Sequence, residues 1–385
     1  MDVSLRPAQH GRSRARRTAV TGGVAVVAAA ALVAAQSPAS ASAAGTGSAN
    51  KPAFNQHRAY VQTNLVSDVP GWAAITDPNL VNPWGLSQGA ATPLWVSDNG
   101  KDVTTLYSDP PGGSPAIVPL VVKIPGGEPT GQLFNGTSDF VLKQDGMPAF
   151  FVFASEAGKI TAWNPSLSPS TSAVKVASNP NAVYKGIAMV PRSSGPILLA
   201  ADFHNGRVRA FDSSFVPMPL PSWAFADPTL PAGYAPFNIA VVGQRVFVSY
   251  AKQDGDRHDD VAGAGHGFVD VYGFGGHWLM RFASRGVLNS PWGMTIAPAG
   301  FGPFSGDLLV GNFGDGRIHA FDPTTGHLDG TLRDTHGTPI AIDGLWGLLP
   351  GNGTSAGSSA VWFSAGPDSE AHGLLGQLVS ASSLS

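Results

Sequence analysis

The sequence predicts an all-β, six-bladed β-propeller with four-stranded blades, its last blade closed by the N-terminal strand. Three observations lead there. The 385 residues include 48 Gly and 32 Pro and are only 13% charged, which disfavours long helices because both residues interrupt them. A motif recurs at steps of about 48–55 residues, within the range of propeller and solenoid repeats. One end of the chain also carries a strand-like run in surplus, and the other end lacks one.

The units open on short glycine motifs. Asn82-Pro83-Trp84-Gly85-Leu86, Ser290-Pro291-Trp292-Gly293-Met294 and Gly344-Leu345-Trp346-Gly347-Leu348 are the clearest. Tyr184-Lys185-Gly186-Ile187-Ala188 and Pro236-Phe237-Asn238-Ile239-Ala240 hold equivalent places, and the degenerate second unit is placed near Gly136 to Phe140. After each opening comes a continuously apolar run, such as Leu94 to Asp98 or Leu308 to Asn312. Such runs suit a strand buried on both faces. A third run follows a glycine turn and alternates with period two, as in Arg207 to Asp212 and Arg317 to Asp322, the mark of a half-buried strand.

Six such units describe blades around an axis. The last unit ends one strand short, after Gly373 to Val379, while Tyr60 to Val66 precedes the first unit without a partner. The N-terminal run is therefore expected to complete the last blade, leaving no sheet edge open. The Trp-Gly pairs are read first as inter-blade plugs with close-approach glycines, and second as an aromatic platform at the channel mouth.

Arg12, Arg14, Arg16 and Arg17, the Ala/Val stretch from Ala19 to Ala35 and the small-residue run Ala39 to Ala43 read as a secretory signal peptide over 1–43. A Sec route is expected, with Arg16-Arg17 a weaker twin-arginine match. A flexible leader over 44–58 and one propeller over 59–385 follow. Without 1–43 the chain has 18 basic and 25 acidic residues, a net charge of −7. Acidity makes nucleic acid a poor partner, and no later segment is apolar enough for a membrane span. With no cysteine there is no disulfide, thiol nucleophile or cysteinyl metal site. A secreted monomer is expected.

Polar residues ending the second runs should share one rim. The candidate ligand-binding set is Asp98, Asn99, Glu156, Asp202, His204, Asn312 and Glu370. Hard oxygens mixed with His suit a metal, and Asp and Asn also serve turns. In the segment Lys252 to Asp260, Asp254, Asp256, Asp259 and Asp260 crowd four carboxylates into seven residues. Calcium would relieve their repulsion, although the EF-hand spacing is absent, and a solvated loop neutralised by Lys252 and Arg257 is the alternative. No catalytic residue is assigned, because no nucleophile elbow and no P-loop is read, and no Rossmann fingerprint in a βαβ setting.

Tyr60 to Asp68, Asn82 to Asp98, Tyr250 to Val271 and Ser290 to Asp322 resemble a family of predicted-secreted bacterial β-propeller proteins with NHL- or YVTN-like repeats. The resemblance implies fold and export and brings no activity. The expected function is a non-catalytic scaffold binding a protein, glycan or small molecule on one rim. The alternative is a metal-dependent hydrolase or lyase, lactonase-like, at the central channel mouth.

Overall fold

The computed structural model describes residues 59–384, so the signal peptide read over 1–43, the leader over 44–58 and Ser385 lie outside the described residues. Six antiparallel sheets follow one another along the chain as blades. Blades 1 to 5 run over 83–123, 129–178, 184–218, 234–284 and 291–331, with four strands each. Blade 6 takes three strands from 345–380 and its fourth from Tyr60–Ser67. The protein is a six-bladed β-propeller.

The closure follows the sequence expectation. Tyr60–Ser67 pairs antiparallel with Leu374–Ser380, from Tyr60 opposite Ser380 to Ser67 opposite Leu374, with one bulge between Asn64 and Val66. Ser67 Oγ donates to the Gly373 carbonyl at 2.8 Å. A short strand, Ile75–Thr76, adds to the same sheet in parallel. The ladder spends the edge hydrogen bonds of both terminal strands on each other.

One expectation needs correcting. Blade 2 opens with Pro129–Phe134 and not near Gly136 to Phe140. Its glycine is Gly131, hidden because the neighbouring Thr130 breaks the aromatic-glycine pattern.

The six innermost strands, Pro83–Ser87, Pro129–Phe134, Tyr184–Val190, Tyr234–Val242, Pro291–Ile296 and Leu345–Pro350, surround the axis. Each is bulged at or beside its motif residue. At that position five strands carry glycine, and the space a side chain would need is taken by the next blade. A Cβ on Gly131 would lie 2.9 Å from the Ile187 nitrogen, and one on Gly293 or Gly347 would lie 2.6 Å from the Trp346 or Trp84 carbonyl oxygen. Gly85 meets Thr130 and Gly186 meets Asn238 in the same way. Asn238 is the exception, and it turns the contact into a hydrogen bond, donating through Nδ2 to the Trp292 carbonyl at 2.7 Å.

Away from the axis, apolar clusters bridge neighbouring blades. Trp95 and Leu106 of blade 1 pack with Phe151 and Val152 of blade 2, Phe247 and Val269 of blade 4 with Val310 and Phe321 of blade 5, and Trp362 and Leu375 of blade 6 with Leu94 and Val96 of blade 1. Each such fully buried side chain contributes roughly 1.5–3 kcal/mol relative to exposure, so the ring is held chiefly by packing between sheets.

Gly347→Ala is expected to lower stability by about 1–3 kcal/mol through overpacking against the Trp84 carbonyl. Gly255→Ala, where nothing lies within 4 Å of the added carbon, is the control. Urea denaturation of both variants checks this, and equal midpoints would remove the glycine ring from the account.

Candidate functional site

The residue before each motif position defines a ring of its own: Trp84, Thr130, Lys185, Phe237, Trp292 and Trp346. All six are buried, and alternation along a strand puts them on the face opposite their glycine contacts. Trp84 and Trp346 stack with centroids 3.5 Å apart, Trp292 meets both edge-on, and Phe313 stacks on Trp346 at 3.9 Å. The tryptophans therefore pack on one another across the axis and do not plug the spaces between blades, which corrects the first sequence reading.

Lys185 is the cation in this aromatic ring. Its side chain is 1% exposed, a position that a lysine holds only when its charge is paired. Nζ donates to Glu156 Oε1 and, at 3.2 Å, to Asp259 Oδ1. It also lies 5.0 Å from the Trp84 ring centroid, where the face of the indole favours a cation. Burial pulls its pKa down, but Glu156 and Asp259 reverse the effect and hold the ammonium charged.

Asparagines extend the network. Asn99 Nδ2 donates to Glu156 Oε2 at 2.9 Å, and Asn82 Nδ2 donates at 3.3 Å to both Asn99 Oδ1 and Glu370 Oε1. Asn82 Oδ1 in turn accepts the Trp346 indole N–H at 3.1 Å, joining the charged layer to the aromatic one. Glu370 ends a run of three non-glycine residues with positive φ, Asp368, Ser369 and Glu370. Such backbone is costly and persists only where its surroundings hold it.

The electrostatics follow from this crowding. Desolvation and then the negative charge of Glu156 push the Glu370 carboxyl up to about 7, with Lys185 pulling the other way. Packing disfavours the charge of Asp259, yet the His258 hydrogen bond and Lys185 hold it well below the usual carboxylate range. His258 Nδ1 lies 3.0 Å from Asp259 Oδ1, and that hydrogen bond raises the imidazole pKa.

The structure divides the sequence-derived candidates. Asn99, Glu156 and Glu370 meet at the mouth, and Asp259 and Asp260 of the acidic loop join them, Asp260 adding to the negative field on Glu370. Asp98 is fully buried inside its blade, accepting from Thr105 Oγ1 at 2.8 Å. Burial raises its pKa well above the ordinary value. Asp202 ties Asn205 and Arg209, and Asn312 ties the Val287 carbonyl and Asp315. Half-buried His204 takes no part in the Lys185 hydrogen bonds. The end of a second strand therefore serves local turns as often as the rim.

In the acidic loop, Asp254 Oδ1 accepts the His258 N–H at 2.9 Å and Asp256 is exposed at the tip. Among the described residues, the ligand atoms of His, Asp or Glu that gather within 4.8 Å are those of Glu156, His258 and Asp259, a set without Asp254 and Asp256. Gly353-Thr354-Ser355-Ala356-Gly357 does have nucleophile-elbow spacing, which corrects the sequence reading, but it lies between two strands of blade 6 and not between a strand and a helix. Ser355 is buried there, and its hydroxyl is directed at Gln88 Oε1 and Asn352 Oδ1.

Comparison with known proteins places the chain in a family. It is 32% identical over 326 residues to the uncharacterized protein R648 of Acanthamoeba polyphaga mimivirus, covering 82% of this chain and 78% of that one. It is also 32% identical over 327 residues to the same virus's uncharacterized protein L690, covering 82% and 84%. The chain belongs to the family of these two proteins. No family model matches it. Among solved structures, a streptogramin B lyase aligns at TM-score 0.48 with 10% identity over 83% of this chain and 96% of the other. The Pan2 WD40 domain of Neurospora crassa aligns at 0.46 with 9% identity over 86% and 98%. The propeller assignment rests on the sheet order, not on these likenesses.

Lys185→Met should cost roughly 3–5 kcal/mol by leaving Glu156 buried without its cation, measured by urea denaturation. For Glu370, a folded pKa of about 7 against the ordinary 4.5 means the folded state binds the proton more tightly. The resulting stability is present below about pH 4.5 and is lost as pH rises toward 7. Glu370→Gln should flatten that fall in a series of pH-dependent melts, and an unchanged slope would place the carboxylate in water.

Proposed function

We propose that the chain is an exported, monomeric, non-catalytic scaffold that binds a positively charged ligand at the acidic mouth around Lys185. One observation supports this most directly. The Lys185 ammonium already fills the focus of Glu156 and Asp259, so the pair that could activate water is neutralised from within. Glu156, Asp259 and Asp260 nevertheless outnumber the Lys185 ammonium at the mouth, and Glu370 joins them as the pH rises past about 7. Such a surface attracts the amine or guanidinium of a protein or small molecule more than a neutral glycan, and the attraction weakens with salt. Export is supported by the basic-apolar-small pattern of 1–43.

A second reading rests on Glu156, His258 and Asp259 lying within metal-ligating reach of one another. Two carboxylates and an imidazole suit a first-row divalent ion better than calcium, and such an ion could polarise a carbonyl in a hydrolase or lyase. It would need Lys185 to leave, since ammonium and metal would compete for the same oxygens. Calcium bound by the acidic loop would then reach the mouth through Asp259, with Asp254 and Asp256 left to the loop.

The test uses the chain from Ala44, purified without added metal. A lysine-rich peptide should raise the melting temperature, and Asp259→Asn or about 0.5 M salt should abolish the shift. A glutamate-rich peptide should do nothing. Stoichiometric metal with a chelator-sensitive melt would favour the second reading, and a peptide shift that survives Asp259→Asn would sink the first.

A further inference from the structure

Blades 1 and 2, 2 and 3, and 4 and 5 are joined by residues 124–128, 179–183 and 285–290, but blades 3 and 4 by the longer connection 219–233. Two anchors hold this connection against blade 4. Phe225 donates its N–H to the Gly276 carbonyl at 2.8 Å and sets its ring 5.5 Å from that of Tyr272. The Asp227 carboxylate is fully buried, with Oδ2 accepting from Arg281 and Oδ1 from the Thr229 N–H and hydroxyl. Pinned at these points, the connection roofs a cavity of about 440 Å³, the size that takes small organic ligands.

The remaining walls come from both blades, Arg207 and Val208 from blade 3 and Pro236 and Tyr250 from blade 4. Leu220, Phe225 and Leu230 add apolar surface from the connection. The two charged walls, Arg207 and Asp227, differ in reach. Asp227 has no exposed side-chain surface, and both of its oxygens are taken. Arg207 is 53% exposed, and the carboxylate it faces, Asp202 Oδ2, is 3.9 Å from its Nε, outside hydrogen-bond distance. Asp202 is spent on Arg209, at 3.3 Å, and on Asn205, at 2.9 Å to each oxygen. One buried carboxylate thus serves two guanidiniums, and that of Arg207 keeps its donors free of the other described residues.

We propose that this cavity is a binding site for a small organic carboxylate with an apolar body. Arg207 takes the carboxylate through its planar fork of N–H donors, whose spacing matches two carboxylate oxygens. The apolar body packs on Val208, Leu220, Phe225, Leu230 and Pro236. A neutral analogue forgoes the charge-assisted hydrogen bonds, and a cation meets like charge. The preference is opposite in sign to that of the mouth. None of Glu156, Lys185 and Asp259 lines the cavity, so the site does not depend on what binds there.

The experiment titrates the chain from Ala44 with 3-phenylpropanoate by calorimetry, with 3-phenylpropan-1-ol as the neutral analogue and acetate as the head group alone. The phenylpropanoate should saturate a single site. The alcohol should bind about tenfold more weakly or worse, and acetate at equal concentration should not displace the phenylpropanoate. Arg207→Gln should weaken binding at least about tenfold with the melting temperature kept, because the side chain is half-exposed. Ala226→Trp, at an exposed position in the cavity wall, should block the site, while Asp259→Asn leaves it unchanged. Should one of the two cavity variants fail to fold, the other decides alone. The proposal is overturned if the phenylpropanoate does not saturate below about 10 mM, or if the alcohol binds equally well. It is overturned equally if acetate displaces the phenylpropanoate, or if folded Arg207→Gln or Ala226→Trp binds it as the parent does.

Discussion

The approach of each innermost strand to the next, at a position that excludes a side chain, is the constraint on which the rest of this molecule depends. Gly85, Gly131, Gly186, Gly293 and Gly347 let neighbouring backbones come together, and Asn238 replaces the sixth contact with a hydrogen bond. This sets the diameter of the ring. Because the preceding residue points the other way, the same constraint crowds Trp84, Lys185, Trp292 and Trp346 onto the axis. A single charged residue in such a ring cannot reach bulk water. It has to be answered by carboxylates brought over the top, and Glu156 and Asp259 come from different blades to do so.

The indole layer then separates two environments. Above it the field is strong, with an ammonium, several carboxylates and a histidine within a few ångströms. Below it the walls hold no ionisable group at all. Asn82 spans the boundary, touching Asn99 and Glu370 on one side and the Trp346 indole on the other. A protein that kept a continuous polar channel would let water screen the upper charges. The aromatic partition keeps Lys185 in a poorly screened setting, which is why its pairing is strong, while desolvation and Glu156 push the Glu370 carboxyl up to about 7.

The fold was largely legible because repetition averages out local noise. The Trp-Gly motifs at 84–85, 292–293 and 346–347 aligned the blades, and the unmatched Tyr60 run located the closure. Blade 2 was misplaced because Thr130-Gly131 lacks the aromatic that made the others visible. The site was legible only in part. Asn99, Glu156 and Glu370, read from strand ends, and Asp259, read from the crowded acidic loop, meet around Lys185, but Asp98, Asp202 and Asn312 share the strand-end spacing and tie up their own loops. Sequence spacing gives the end of the sheet and not the direction in which the last side chain turns. Lys185 was passed over, although a usable signal existed: it occupies a tryptophan slot in an otherwise apolar register, and a charge there has to be compensated from elsewhere.

The closure ladder also governs when the protein can become whole. Tyr60–Ser67 is among the first parts of the propeller to be synthesised, and its partner Leu374–Ser380 is the last. More than three hundred residues separate Ser67 from the Gly373 carbonyl it holds. Until that final strand emerges, the first one has no sheet to join, and blades 6 and 1 cannot complete the apolar cluster they share. Loop closure over such a span is slow, and its contacts are the least local in the molecule. The two ends thus act as a clasp, and a nascent chain stays an open arc until its last strand arrives.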